Sequence, residues 1–436
     1  MPGEIRNLRV DGETGWPGEI RNLRVDGETG WPPIKREVVS GDLRRLAWNR
    51  IEVDQLRMPT IPSHRELVTI LSFRDTDRTP KNHLDAVIVP TSRVPTNLHE
   101  AARVAHLDQS QLVYLCSKDA TASRVYDFLT HHHIDTRHIT AVDLPQGYNN
   151  HSLPGLQLRT DALSIPRYDE ERDIAVKRNV GLALARMAGW KHVFFLDDDV
   201  GGIEKSHLNR MLRGFDDPDR QIVGWAYGNP RDMFANDNSA VMHAYRLAGG
   251  VQDTFISGGA SAVRIGDDTP FFPNIYNEDW LFFAGAMRKG VSSVALAGDV
   301  IQLQKNPFAR KELVVGEEFG DMYAEGLLRT MYGDRSLTDP WSFTASWWRE
   351  IMQMRGEFIQ DIANNLRPEQ SELHRQAHES LTSALAAHRA DWPLLSSNYT
   401  RDWISDLDTW KSWYSHLPSS LSVSDALAYL HLQRTR

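Results

Sequence analysis

Between residues 85 and 199 the chain alternates short apolar runs with stretches of helical character, and this constrains the fold more than any other feature. Asp85-Ala-Val-Ile-Val-Pro-Thr-Ser-Arg93 reads as a first core strand with a polar exit, Gln111-Leu-Val-Tyr-Leu-Cys-Ser-Lys118 as a second, and His138-Ile-Thr-Ala-Val-Asp-Leu144 as a third. Helices are expected between them at Asn97 to His106 and Thr121 to His131. A further amphipathic helix, Glu171 to Gly189, has apolar positions at Ile174, Leu182, Ala185 and Met187 and a glycine stop. It leads to a fourth apolar run, Val193 to Leu196. This β-α-β alternation predicts an α/β fold with a mostly parallel sheet and helices on its faces.

The fourth run ends in three consecutive carboxylates, Asp197, Asp198 and Asp199. Ligands of open α/β sheets sit at the carboxyl ends of the strands. Three acids at one strand end repel each other, and a hard divalent cation bound through oxygen relieves that repulsion. Such a cation can hold a diphosphate, which suggests chemistry on a nucleotide-activated substrate. Asp also favours turns and helix caps, so the neighbouring segments must decide. The preceding helix carries Arg172, Lys177, Arg178 and Asn179, which could reach an anionic ligand. A solvated helix face is the simpler reading of those charges. Ser257-Gly-Gly-Ala-Ser261 offers no large side chain, so the backbone at Gly258 and Gly259 can approach a sugar or diphosphate and donate its N–H groups. A tight turn is the competing role.

Lys177-Arg-Asn-Val-Gly-Leu-Ala-Leu-Ala185 followed by Phe195-Leu-Asp-Asp-Asp199 resembles the core of GT-A-fold glycosyltransferases, especially glycosyltransferase family 2. Phe255-Ile-Ser-Gly-Gly-Ala-Ser-Ala-Val-Arg264 resembles their small-residue acceptor loop, and Asn277-Glu-Asp-Trp-Leu281 their "ED" motif. The similarity runs from about Leu84 to Gly326, with order and spacing both matching. The resemblance implies a GT-A-like fold and transfer of a sugar from a nucleoside-diphosphate donor, UDP- or GDP-linked, to a hydroxyl of a small-molecule or glycan acceptor. It makes Asp197 and Asp199 the outer acids of a DXD motif that binds Mn²⁺ or Mg²⁺, with Asp197 and Asp198 near the nucleotide. A metal there stabilises the charge growing on the leaving group. In inverting relatives the Asp of the ED motif is the general base, here Asp279, with Glu278 as fallback; in a helix start both also favour the macrodipole. The strand exits of the family bind the nucleoside, which places Pro90, Thr91, Arg93 and Asp119 at the donor, with a helix cap the competing role for Asp119. Arg178 is assigned to the diphosphate. The family often supplies a further metal ligand, commonly His, on a later strand. Here that strand reads Asp299-Val-Ile-Gln-Leu-Gln304 and offers only Gln302 or Gln304. Diphosphate and water then complete the shell. The alternatives are a retaining transferase, in which Asp279 positions the sugar, or a non-catalytic nucleotide-sugar-binding or scaffold protein of the same fold. A nucleotidylyltransferase would show a Gly-rich basic loop after the first strand, and Pro90-Thr-Ser-Arg-Val-Pro95 is not one.

A chain of 436 residues can bury a sizeable core, and its net charge of −9 gives no footprint for nucleic acid as a main partner. The one cysteine, Cys116, excludes an internal disulfide and reads as a small core residue. No apolar run is long enough to span a bilayer, and the N-terminus lacks a signal-peptide core, so a cytoplasmic protein is expected. Adjacent side chains cannot converge on one ion, so His131-His132-His133 reads as a helix end.

Residues 1–31 contain a 15-residue unit, Pro2 to Trp16, repeated unchanged at Pro17 to Trp31. Two copies cannot build a solenoid core, and Asp-Gly marks a hairpin turn in each. Residues 32–80 form a lead-in with a strand expected at Glu66 to Phe73, and 81–334 the catalytic domain, its donor half about 81–203 and its acceptor half about 204–334. Residues 335–436 form a helical, Trp-rich region: Trp347, Trp348, Ile351, Met352, Phe358 and Ile359 recur at helical intervals, followed by Trp392, Trp403, Trp410 and Trp413. Buried Trp is usually core; a sugar-stacking face or a homo-oligomer contact is the alternative.

Overall fold

The computed structural model describes residues 64–71, 79–166, 173–227, 239–250, 255–288, 290–302, 306–332, 337, 339 and 342–433. The duplicated segment and most of the lead-in lie outside these residues. The first half builds β1 (Thr69–Ile70), β2 (Ala86–Thr91), α1 (Leu98–Asp108), β3 (Gln111–Cys116), α2 (Ala122–His131), β4 (Ile139–Asp143), α3 (Ile174–Ala188) and β5 (His192–Leu196). Then come β6 (Val200–Gly201), α4 (Lys205–Gly214), β7 (Ile222–Tyr227), α5 (Ala240–Leu247), β8 (Ile256–Arg264), α6 (Glu278–Met287), β9 (Val294–Gln302) and α7 (Val314–Arg329). The C-terminal region is helical: α8 (Ala345–Asn365), α9 (Glu372–Ala387), α10 (Trp392–Ser415) and α11 (Val423–Tyr429).

The strands form a sheet in the order β1-β9-β7-β8-β5-β2-β3-β4, with β6 paired to β9 alone. All main-sheet pairings are parallel except the two made by β8, which runs antiparallel between β5 and β7. The fold is therefore α/β, with a mostly parallel sheet and flanking helices. Continuous apolar runs suit strands buried on both faces, and β5 shows why. Phe194 and Leu196 join a core with α1, α2 and α4, while Val193 and Phe195 join one with α3, α6, α7 and α10. Helix α3 lies close on the sheet because position 181 is glycine. A Cβ there would come within 2.9 Å of Phe195 and 3.0 Å of Ile88. The helix stops at Gly189, φ 73°, a left-handed cap that glycine adopts without strain. Helix α2 ends at His131, and the other two histidines form its exit.

Three expected elements differ. Ser257-Gly-Gly-Ala-Ser261 is neither a loop nor a turn but the first part of β8. The strand placed at Asp299 to Gln304 begins earlier, at Val294, and ends at Gln302, with Gln304 outside the described residues. In the lead-in, His64–Leu67 is a 3₁₀ turn and the strand is Thr69–Ile70, an edge strand paired to β9, while residues 72 and 73 lie outside the described residues.

The C-terminal helices share the core of the sheet. Trp348, Trp392, Trp403 and Trp410 are buried in the cluster that holds Val193 and Phe195. Trp410 Nε1 donates to the Thr269 carbonyl at 2.9 Å and Tyr414 Oη to that of Leu182 at 3.0 Å. The Asp406 carboxylate accepts the backbone N–H groups of Arg159 and Thr160, each at 2.8 Å. Among the described residues no helix is long and apolar enough to cross a membrane.

Candidate functional site at the carboxyl end of the sheet

Because β8 runs against β5, its start lies beside the end of β5. Leu196 pairs with Ala260, and the Asp197 N–H donates to the Gly259 carbonyl at 2.8 Å. The three acids, the two glycines and the start of α6 are thereby gathered at one end of the sheet.

Arg178 ties these pieces together. Its guanidinium donates from Nη1 to Glu278 Oε1 at 2.7 Å and from Nη2 to both Asp197 oxygens at 3.1 Å. It is 3% exposed and stacks 5.4 Å from the Phe272 ring centroid. Burial opposes its charge, but Asp197, Glu278 and Asp279 more than offset this and hold its pKa above the ordinary value. Lys177 and Arg178 are therefore not on a solvated face, and Arg172 lies outside the described residues. Lys177 is buried too, bonding the Thr91 carbonyl and Ser117 Oγ, each at 2.7 Å, and Asp173 at 3.0 Å. It clamps the exits of β2 and β3 together. No spacing in the sequence announces this role, since both its strand partners lie far away in the chain.

Asp198 and Asp199 face the β2 exit. Thr91 Oγ1 donates to Asp198 at 2.6 Å, and Arg93 Nη2 donates to Asp198 at 2.6 Å and to Asp199 at 2.7 Å. Gln302 Nε2 reaches Asp199 at 3.2 Å. Burial, then Asp198 and Asp197 beside it, pushes Asp199 up to about 6 against the attraction of Arg93. Burial raises Asp198 as well. With its side chain 54% exposed, Arg93 is the accessible cation of the cluster. Pro90 is buried in β2. Asp119 is exposed, with its backbone N–H on the Ser92 carbonyl at 3.1 Å; the cap of α2 is Thr121, not Asp119.

Asp279, the second residue of α6, is held by two backbone donors, Gly258 N–H at 2.8 Å and its neighbour Trp280 N–H at 2.9 Å. Burial, followed by the charge of Glu278, pushes it up to about 6. The glycines are required by this crowding. A Cβ on Gly258 would come within 2.5 Å of the Asp279 Cβ, and one on Gly259 within 2.3 Å of both Asp197 Oδ2 and Tyr227 Oη. The N–H groups of Gly258 and Gly259 bond Asp279 and Ser257 Oγ, so their place is to admit the acids side by side. Tyr227 is a site neighbour that the sequence did not announce.

No protein-family model matches the chain, and no curated protein matches it. The fold is similar to solved glycosyltransferase structures. A mannosyltransferase from Pyrobaculum calidifontis, in complex with GDP-Man and Mn²⁺, aligns at 14% identity over 78% of this chain and 90% of its own, with a TM-score of 0.39. Glucosyl-3-phosphoglycerate synthase from Mycobacterium tuberculosis, in complex with Mn²⁺, uridine diphosphate and phosphoglyceric acid, aligns at 14% identity over 58% of this chain and 80% of its own, with a TM-score of 0.36. The same synthase with Mg²⁺ and uridine diphosphate aligns at 14% identity over 57% and 79%, with a TM-score of 0.34.

Among the described residues no three His, Cys, Asp or Glu side chains are grouped to hold a metal ion by themselves. The donor set at Asp197 and Asp199 is nevertheless a hard one, carboxylate oxygens only. Arg93 already places a positive group on the Asp198 and Asp199 oxygens. Mg²⁺ and Mn²⁺ are commonly held by one or two carboxylates with phosphate and water as the remaining ligands, and the residues present fit that arrangement.

Proposed function

We propose that this protein is a metal-dependent glycosyltransferase that moves a sugar from a UDP- or GDP-linked donor to a hydroxyl acceptor with inversion. The observation that carries the reading is the Arg178 bridge. One buried guanidinium bonds Asp197 of the first acidic motif and Glu278 of the second, so acids far apart in the chain share one site. Asp197 and Asp199 would hold the Mn²⁺ or Mg²⁺, which when bound supplies positive charge to the departing diphosphate.

The chain's own residues do the rest. Arg178 is buried between Asp197 and Glu278, so the diphosphate contact falls to Arg93, which also bonds two carboxylates but keeps half of its side chain exposed. Lys177 holds together the strand exits that flank the nucleoside. Glu278 is sealed against Arg178 and serves to hold it. Asp279 takes the acceptor hydroxyl proton as the acceptor oxygen bonds to the anomeric carbon. The bond from that carbon to the diphosphate breaks, and its electron pair leaves with the diphosphate oxygen. A carboxyl held near 6 is ionised at neutral pH yet basic enough to assist that transfer.

Thermal unfolding against nucleoside diphosphates and nucleotide sugars, with and without Mn²⁺, tests this. Native-state ligands raise the midpoint by mass action. The expected result is a rise that requires both metal and one nucleotide and disappears in Asp199→Ala. No rise with any nucleotide would overturn the proposal and favour a scaffold role.

A further inference from the structure

Asn277 immediately precedes the acid pair and sits at φ 63°, in the left-handed region that Asn tolerates better than most residues. It occupies the cap position of α6, yet its side chain makes no capping bond. An Asn at that position ordinarily accepts from the first turn of its helix. Here its amide Nδ2 donates to Asp321 Oδ1 on α7 at 2.9 Å. Asp321 is in turn held by Arg355 of α8, whose Nη2 donates to Oδ2 at 2.7 Å, and by the Ser239 hydroxyl. Arg355 is 3% exposed and also donates from Nε and Nη2 to Glu318, which lies 2.8 Å from His388 Nε2. Helix α7 can approach this closely because residue 320 is glycine: a Cβ there would lie 2.6 Å from the Tyr276 carbonyl oxygen.

The ordinary cap of α6 has therefore been given up for a tie to the C-terminal helices. We infer that Asp321, clamped by Arg355, is a positioning residue. It fixes Asn277 in its left-handed conformation and so sets where the next turn presents Asp279. This rests on the proposed transferase reading, in which Asp279 is the base. A small displacement of a reacting group costs up to about a hundredfold in rate, so the tie acts on turnover rather than on donor binding, which lies at the β2 and β5 exits.

The test compares Asn277→Gly, Asn277→Asp, and Asn277→Asp combined with Asp321→Asn in the full-length protein. Glycine keeps the positive φ and removes only the side-chain bond. Aspartate sets two carboxylates against each other. The double substitution reverses donor and acceptor, and Arg355 keeps Glu318 throughout. Release of nucleoside diphosphate from UDP-glucose and GDP-mannose with Mn²⁺, with water as the hydroxyl acceptor of the sugar, gives kcat and donor KM, and amide hydrogen exchange at Gly258 and Trp280 reports how firmly Asp279 is held. The expected result is a kcat about ten- to a hundredfold lower in Asn277→Gly, with donor KM within about twofold. Exchange at the two amides should be faster, Asn277→Asp should be worse, and the double variant should recover part of the loss. A wild-type protein that releases nucleoside diphosphate while Asn277→Gly keeps its kcat defeats the positioning role alone. Equal losses in kcat and melting temperature with no recovery in the double variant also defeat it, since that marks a merely structural bond. A wild-type protein that releases none from either donor defeats the transferase reading and this inference with it.

Discussion

Asp199→Asn should stabilise the ligand-free protein at pH 7.5 and at the same time abolish its response to metal and nucleotide. The Asp199 side chain is 14% exposed and lies against two further carboxylates. Burial and those charges move its pKa from 3.8 to about 6, with the attraction of Arg93 already included. Such a shift makes the charged form in the folded protein unfavourable by up to about 3 kcal/mol at pH values above 6. The fold favours the protonated carboxyl, so its contribution to stability is fully present below about pH 4 and is lost as the pH rises through about 6. Asparagine mimics the neutral form at every pH, and Arg93 keeps its bond to Asp198. The gain of the variant over wild type should grow from near zero at pH 4 to about 1–3 kcal/mol at pH 7.5, or roughly 1–3 °C in a chain this large. Thermal unfolding at pH 4.5, 6 and 7.5, with and without Mn²⁺ and nucleoside diphosphate, measures both effects. A lower midpoint for the variant at pH 7.5 would refute the electrostatic account, because the Arg93 and Gln302 contacts would then outweigh the repulsion. A surviving metal-dependent rise would remove Asp199 from the metal.

Four further outcomes are expected. Arg178→Met leaves Glu278 buried without its cation and should cost about 3–5 kcal/mol in urea unfolding. Asp279→Asn should lower turnover about 10²- to 10⁴-fold while the nucleotide-induced rise in melting temperature persists. In the wild-type protein turnover should fall about tenfold per pH unit below about pH 6, as Asp279 takes up the proton that burial and Glu278 favour; a rate flat from pH 7 to 5 removes Asp279 as the base. Gly259→Ala drives a methyl into Asp197 and Tyr227 and should cost about 1–3 kcal/mol together with the nucleotide response, read in the same melting assay.

The parallel half of the sheet was legible because its strands are buried on both faces and carry unbroken apolar runs. Strand β8 was not: in Ser257-Gly-Gly-Ala-Ser261 the space a side chain would fill belongs to Asp197, Asp279 and Tyr227, so the strand lacks the bulk by which strands are recognised. The start of β9 was missed for a related reason: Gly298, at φ 132°, interrupts its run. Within the site, Asp197 to Asp199 and Asp279 stand out as acids at the boundaries of apolar segments. Their partners do not. Lys177 and Arg178 resemble any charged helix face until Thr91, Ser117 and Glu278 close around them. The tie from Arg355 through Asp321 to Asn277 joins three helices with no spacing rule to announce it.

The shared core of sheet and C-terminal helices bears on how the chain can be made and cut. Tyr414 and Trp410 reach into the layer beneath α3, and Asp406 satisfies backbone donors at Arg159 and Thr160. A truncated chain ending near residue 334 would keep every acid of the site yet expose the indole-filled face of α3, α6 and α7. During synthesis the donor half leaves the ribosome long before the helices that cover it. It must wait, unsealed, for the last hundred residues or so, and chaperone demand should be greatest in that interval.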